Sequence, residues 1–288
     1  MILDAHVHVF PEEVRRDRER FCRLDPGFAA VYQDSRGRMA SSQEVLSALD
    51  EAGAQGAVIF GFPWTDPQIC RDHNDHILKA CRDSGGRLLG LGCVNPALGE
   101  RGIQEAERCL QRGLVGIGEV ATYGQAAGGL DSPFFRDLGQ LLVQCGRPLL
   151  LHVTETVGHQ YPGKDRTPFQ ELYQWILTHP GQDIVLAHWG GGLFFYELMP
   201  EVHEACRRVY YDTAASPFLY RPLIYRIALE ILGADRILLG SDFPLIHPRR
   251  YIQEISSLGL PEEQVRGLLG RNAARLWQWE PSKPLPRA

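Results

Sequence analysis

Met1-Ile-Leu-Asp-Ala-His-Val-His-Val-Phe10 runs directly into Pro11. The apolar residues of the stretch fit a buried strand, and the residues just after it decide between two architectures. An open doubly wound sheet normally places a glycine-rich phosphate loop after its first strand. Here the strand leads into His-Val-Phe-Pro, which cannot cradle a pyrophosphate in that way. Seven more apolar runs bounded by Gly, Pro or polar clusters come later in the chain: Gly56–Phe62, Arg87–Val94, Leu114–Val120, Pro148–Val153, Asp183–His188, Val209–Thr213 and Arg236–Ser241. Helical stretches separate them. Ser41-Ser42-Gln43-Glu44 opens Val45–Ala54 as a capping box. Pro67–Ser84, Gly102–Arg112, Ser132–Cys145, Thr167–Thr178, Phe194–Arg207 and Pro222–Leu232 are the next, and Pro248–Leu258 and Glu262–Gln278 come after the last strand. Strands that alternate with helices in one chain of this length predict a (β/α)8, or TIM, barrel as a single domain over residues 1–280. Pro11–Ala40 reads as an extended loop over one end of the barrel, and residues 281–288 as a frayed tail.

Composition narrows the function classes. Thirty Lys plus Arg against 35 Asp plus Glu leave a formal charge of -5, the opposite of a nucleic-acid footprint. No apolar run approaches the roughly 20 residues that span a bilayer. The first residues show neither the basic nor the apolar region of a signal peptide, so a cytoplasmic protein is expected. Seven scattered cysteines without a Cys-x-x-Cys pair read as reduced, buried thiols.

The chemistry-bearing residues gather at strand ends. Alternation puts His6 and His8 on one face of the first strand. Glu119 ends the fourth, His152 the fifth, His188 the sixth and Asp242 the eighth. In a barrel these C-terminal ends surround one mouth, where active sites form. Four imidazoles and two carboxylates there make a ligand set for a divalent ion. His73, His76, His179 and His203, by contrast, fall in or directly beside the expected helices. Asp4 either orients the His6–His8 pair from behind or bonds backbone at the strand end. Asp212, ending the seventh strand, either reaches the mouth or caps the next turn.

Substrate contacts are expected from residues just past the strands. Trp64, Tyr123 and Phe243 offer walls for a flat molecule, and His159, Tyr161, Lys164 and Arg166 an anion-binding edge, as do Arg249 and Arg250. Gly190-Gly191-Gly192 allows either close backbone approach to a ligand or a turn into the next helix.

These stretches together resemble a known family. Asp4-Ala-His-Val-His-Val-Phe10, His152, His188-Trp-Gly-Gly-Gly192 and Leu238-Leu-Gly-Ser-Asp-Phe-Pro244 resemble the amidohydrolase superfamily from Leu3 to about Asn272. The resemblance is greatest to its amidohydrolase-related branch, which also contains metal-dependent aromatic-acid decarboxylases. It implies a distorted barrel with one or two divalent ions at the strand C-termini, zinc as first choice and manganese as second. It assigns His6, His8 and Asp242 to the more buried ion. His152 and His188 take positions that hold a second ion, or ligand and proton-transfer roles where there is one ion. Gly116-Ile-Gly-Glu-Val120 resembles the strand-four stretch of TatD-like hydrolases, whose glutamate bridges two ions; the decarboxylases usually lack it. Ala121-Thr122-Tyr123 stands where that group continues with Asp, so deoxyribonuclease activity is not implied. The resemblance also implies association into dimers.

The expected function is therefore metal-dependent hydrolysis of a small ester, lactone, amide or phosphoester. A divalent ion lowers the pKa of bound water from 15.7 to about 7, Asp242 passes the proton to the leaving group, and His188 polarises the carbonyl or donates a proton. The alternative is metal-dependent, non-oxidative decarboxylation of an aromatic or unsaturated acid. A non-catalytic binding protein would be expected to have lost at least one member of the ligand set.

Overall fold

The structure is a computed structural model and describes residues 1–121, 123, 129–165 and 168–281. Eight parallel strands succeed one another in chain order: β1 (Leu3–His8), β2 (Gly56–Phe60), β3 (Leu88–Gly92), β4 (Gly116–Val120), β5 (Leu149–Leu151), β6 (Ile184–Leu186), β7 (Val209–Asp212) and β8 (Ile237–Leu238). The ring closes just beyond β8, where Ala5 N–H donates to the Leu239 carbonyl at 2.6 Å and Asp242 N–H to that of His6 at 3.0 Å. The fold is a single-domain (β/α)8 barrel, as expected.

Strand parity sorts the core into two layers. Val58, Phe60, Leu89, Leu91, Leu150, Val185 and Leu238 fill the barrel, with Trp277 and Trp279 packed onto the same cluster. Ala57, Ile59, Leu88, Ile117, Leu149 and Ile184 join the helix-facing cluster. In β1 the parity changes partway. Its pairing with β2 shifts by one residue between Asp4 and Val7, the mark of a bulge. Leu3 and Ala5 therefore belong to the inner cluster while Val7 and Val9 belong to the outer one. That shift turns His6 and His8 inward.

The outer helices include α4 (Ser42–Ala52), α5 (Pro67–Asp83), α6 (Glu100–Gln111), α7 (Pro133–Cys145), α8 (Phe169–Thr178), α11 (Leu223–Leu232) and α12 (Pro248–Ser256). The capping box read at Ser41 and Glu44 is present, with both reciprocal bonds made. Among the described residues no helix is long and apolar enough to cross a membrane. All seven cysteines are free, although Cys145 is exposed and Cys22 half-buried rather than buried.

Three expectations are corrected. Residues 11–40 are not an extended loop but carry α1 (Glu12–Arg16), α2 (Arg18–Leu24) and α3 (Pro26–Tyr32), the last two capped by Asp17 and Asp25. Helices of five to seven residues are too short to show a 3.6-residue period in sequence. Phe194–Arg207 is not one helix. A left-handed turn and a 3-10 segment run to Leu198, and only α9 (Pro200–Ala205) is α-helical. The expected helix Glu262–Gln278 divides into α13 (Glu262–Arg266), a π-type turn at Gly267–Arg271 and α14 (Asn272–Leu276). The turn lets the Leu268 carbonyl accept from Leu239 N–H at the closing seam of the barrel. A short α10 (Ser216–Leu219) comes after β7. Of the expected tail, residues 282–288 lie outside the described residues.

Candidate metal centre

Four histidines stand at the mouth, and in each one ring nitrogen is anchored to an acceptor. His6 Nδ1 lies 2.8 Å from Asp212 Oδ2, His8 Nδ1 3.4 Å from the Gly61 carbonyl, and His188 Nδ1 3.2 Å from that of Ala214. An N–H held by a carboxylate or carbonyl leaves Nε2 with its lone pair free, the usual preparation of a metal-binding imidazole. His152 is turned the other way. Its Nε2 meets the Gly163 carbonyl at 2.8 Å and its Nδ1 meets Glu119 Oε1 at 2.8 Å.

The free nitrogens converge on two carboxylates. His8 Nε2 lies 3.5 Å and His6 Nε2 3.8 Å from Asp242 Oδ1. Glu119 is 3.8 Å from His8, 4.0 Å from His6 and 3.7 Å from His188 by its nearest oxygens. Donors that share one ion at about 2.0–2.1 Å can be no more than about 4.2 Å apart. Every one of these separations falls inside that limit. His6–His8–Glu119, His6–His188–Asp242 and Glu119–His152–His188 each form a compact group of possible ligands.

Two observations test whether a cation fits. His6 Nε2 is completely buried and has no hydrogen-bond partner, a costly state that a ligated ion would relieve. The charges point the same way. Burial opposes a charge on His6, but Asp212, Glu119 and Asp242 outweigh it and lift its pKa to about 10. His188 is likewise raised to about 9, against burial, by Glu119 and Asp242. Against burial, His152 and His6 hold Glu119 well below the usual carboxylate range, and His8, His6 and His188 hold Asp242 at about 2. A divalent cation would take the place of the imidazole protons that balance these carboxylates, releasing them as it binds.

The loop after β6 aims His188 by an unusual backbone. His188, Trp189, Gly190, Gly191 and Gly192 all have positive φ, from 56° to 95°. Each non-glycine residue there costs roughly 1–2 kcal/mol, and three contacts hold the turn. His188 N–H donates to Asp212 Oδ1 at 2.9 Å, the Trp189 indole to Ser216 Oγ at 2.5 Å, and Gly190 N–H to the Ala187 carbonyl at 2.9 Å. Gly191 meets the segment just past β5 so closely that a Cβ would run into the Thr154 carbonyl oxygen. Gly191→Ala is therefore expected to destabilise the fold by about 2 kcal/mol or more, lowering the midpoint of urea unfolding. An unchanged midpoint would show that the loop can shift freely.

Above the cluster opens a cavity of about 500 Å³. His8, Glu119, His152, His188 and Asp242 form its floor, and Tyr32, Tyr123, Phe218, Leu219 and Leu245 supply much of its wall. Of the residues expected to meet substrate, Tyr123, His159 and Tyr161 line it. Tyr123 is stacked on Phe62, ring centres 5.2 Å apart. Trp64 does not reach it. Its indole is fully buried and donates to His73 Nδ1, packed against Phe28 and Phe62. Lys164 is spent on the carbonyls of Val157 and His159, and Arg249 on that of Glu51. Arg250 and Phe243 are not among the lining residues, although Pro244 and Leu245 are. Arg166 lies outside the described residues.

Asp4 and Asp212 resolve their open alternatives. The bulge separates Asp4 from the imidazoles, and its Oδ1 accepts from the backbone of Ser241 and His6. Asp212 caps the turn at Ala214 and does not line the cavity; its other oxygen bonds His6 from behind. The sequence reading missed Arg36 and Arg38, which reach the rim from the segment after α3. Arg36 is paired with Asp34, while Arg18 holds the segment by the carbonyls of Asp34 and Gly37.

Known proteins share the architecture. The chain is similar to 5-carboxyvanillate decarboxylase from Sphingomonas paucimobilis at 20% identity, with a TM-score of 0.79 over 97% of this chain and 99% of that one. It is similar to the Novosphingobium aromaticivorans 5-carboxyvanillate decarboxylase, solved with manganese and 4-hydroxy-3-methoxy-5-nitrobenzoic acid, at 17% identity, TM-score 0.78, over 96% of each chain. A Polaromonas dihydroxybenzoic acid decarboxylase with manganese and 2-nitroresorcinol gives 18% identity and a TM-score of 0.71, again over 96% of each. No curated protein matches significantly. The amidohydrolase family model matches residues 3–279, nearly the whole chain and every member of the mouth cluster. On that match the chain belongs to the amidohydrolase family.

Proposed function

We propose that this chain is a metal-dependent, non-oxidative decarboxylase of a small aromatic carboxylic acid. The observation that carries the reading is the cavity: a largely apolar slot with a cation-binding cluster at its floor and a guanidinium at its rim. A flat ring fits between such walls, with its carboxylate at the floor. The three structural likenesses support it, since each is to an aromatic-acid decarboxylase and two hold manganese.

His6, His8 and Asp242 would hold the ion, with His152 and His188 beside it. The ion would supply the positive charge that binds and polarises the acid's oxygens. The chain's own groups do the rest. Tyr123, fixed by its stack on Phe62, offers a face for the ring. His188, whose Nε2 lies 3.7 Å from Glu119 at the floor of the cavity, would carry a proton there when the ion is held by His6, His8 and Asp242. That proton goes to the ring carbon bearing the carboxylate. The carbon–carbon bond then breaks, its electron pair returns to the ring, and carbon dioxide leaves; His188 regains a proton from solvent. Arg38 meets a polar or acidic substituent at the outer end of the ring.

The test is to incubate Mn²⁺-loaded protein with 2,6-dihydroxybenzoate, 5-carboxyvanillate and related acids and to measure carbon dioxide release. Release matched by the decarboxylated arene supports the reading; hydrolysis of esters or lactones without release from any acid sinks it. Arg38→Ala is expected to raise KM about tenfold, the value of one charge-assisted hydrogen bond, with kcat little changed. An unaltered KM would remove Arg38 from the substrate site.

Hydrolysis is the second reading, and one observation favours it. Glu119 belongs to both His6–His8–Glu119 and Glu119–His152–His188. A carboxylate shared between two ligand groups is suited to bridge two ions.

A further inference from the structure

Asp212 is fully buried at the end of β7, and both of its oxygens are committed. Oδ2 lies 2.8 Å from His6 Nδ1 on β1. Oδ1 accepts from His188 N–H at 2.9 Å and Ala214 N–H at 3.0 Å. The reach from β7 to β1 crosses β8, and Gly240 makes room for it. A Cβ at Gly240 would lie 2.9 Å from His6 Cβ and 3.2 Å from Asp212 Cβ. We infer that Asp212 is a positioning residue for two site histidines at once: one oxygen sets the tautomer of His6, and the other pins the backbone that aims His188.

The two tasks are physically distinct. A carboxylate can only accept, so the His6 nitrogen beside it must carry the proton, and Nε2 is left to face the cluster with its lone pair. At the other oxygen, two backbone N–H groups converge where His188 takes a positive φ. The same carboxylate thus ties the direction of one imidazole to the lone pair of another. The inference rests on the metal-centre reading but not on which reaction the centre performs.

Asp212→Asn distinguishes a positioning role from a simple turn cap. The amide has one oxygen, and the two backbone donors of His188 and Ala214 claim it. Its NH2 then faces His6 Nδ1, which must accept, so the His6 proton moves to Nε2 and blocks the nitrogen aimed at the ion. A turn cap alone predicts that Asn behaves as wild type and that only Asp212→Ala is harmful. The positioning role predicts that Asn keeps a melting temperature near wild type but weakens Mn²⁺ about 10–100-fold, the usual cost of losing a metal ligand's outer partner. Affinity is measured by chelator competition with Mn²⁺ alone. In Zn²⁺-loaded protein, proton–nitrogen correlation spectra should show the His6 Nδ1–H of wild type and lose it in the variant. Asn binding as tightly as wild type, or keeping that resonance, overturns the inference alone. A wild-type chain that binds neither Mn²⁺ nor Zn²⁺ overturns the metal-centre reading and this inference with it.

Discussion

His6→Ala combined with His8→Ala will leave a folded barrel that no longer retains a divalent ion and no longer turns over substrate. The two imidazoles are the only histidines contributed by β1, and both approach Asp242 Oδ1 within 4 Å. Without them, Asp242 loses the donors that complete its ligand group. The structural cost is local. Asp212 Oδ2 loses its partner, worth about 1–3 kcal/mol for a buried acceptor, while the barrel-filling and helix-facing cores are untouched. The melting temperature should fall by several degrees and remain a single transition. His8→Ala alone is the control, because its Nδ1 makes only a 3.4 Å contact with the Gly61 carbonyl. It should lose metal with a smaller loss of stability than the double variant. Elemental analysis after dialysis measures the outcome. Unchanged stoichiometry in the double variant would place the ion instead among Glu119, His152 and His188, the group that does not need β1.

Periodicity makes the mouth cluster legible in the sequence. The strands are short apolar runs, and a ligand type at the end of a barrel strand can point only to one rim. His152, His188 and Asp242 lie one to four residues past β5, β6 and β8, so small errors in strand limits do not displace them. Asp4 marks the limit of strand parity as a guide. By simple alternation it shares a face with His6 and His8, but one extra residue in β1 breaks the parity. A single-residue bulge leaves no hydrophobic signature, and the partner of His6 emerges only in space, on β7.

The substrate wall is less legible, because adjacency in sequence gives position but not direction. Trp64 and Tyr123 both lie a few residues past strand ends. Trp64 turns outward to His73 beneath α2 and α3, whereas Tyr123, at φ 44°, turns to the cavity. Lys164 and Arg38 make the same point with charge. Both are basic and in loops, yet one is consumed by two carbonyls of its own loop and the other lines the cavity. Arg38 arrives there because α1 to α3 fold the chain back over the mouth, and helices this short carry no periodic signal.

Glu119→Gln separates the two chemistries, and the proposed one predicts a particular pattern. The glutamine keeps the size of the side chain and its carbonyl can still accept from His152 Nδ1, now 2.8 Å from Oε1. What it loses is a charge facing four imidazoles, all within 4.0 Å. If the centre holds one ion through His6, His8 and Asp242, that loss leaves the ligand atoms in place. Metal content should stay near one ion per chain, in wild type and variant alike. Turnover should still fall by about 10²-fold, the lower end for a disturbed proton-transfer group, because Glu119 is the carboxylate that neighbours His188 Nε2. If Glu119 instead bridges two ions, removing its charge expels the one held by His152 and His188. Content would then drop from two toward one, and hydrolysis would be the activity lost. A two-to-one drop therefore contradicts the decarboxylase reading even if the barrel and its ligands are otherwise intact. The decision turns on counting ions, since both chemistries would lose rate.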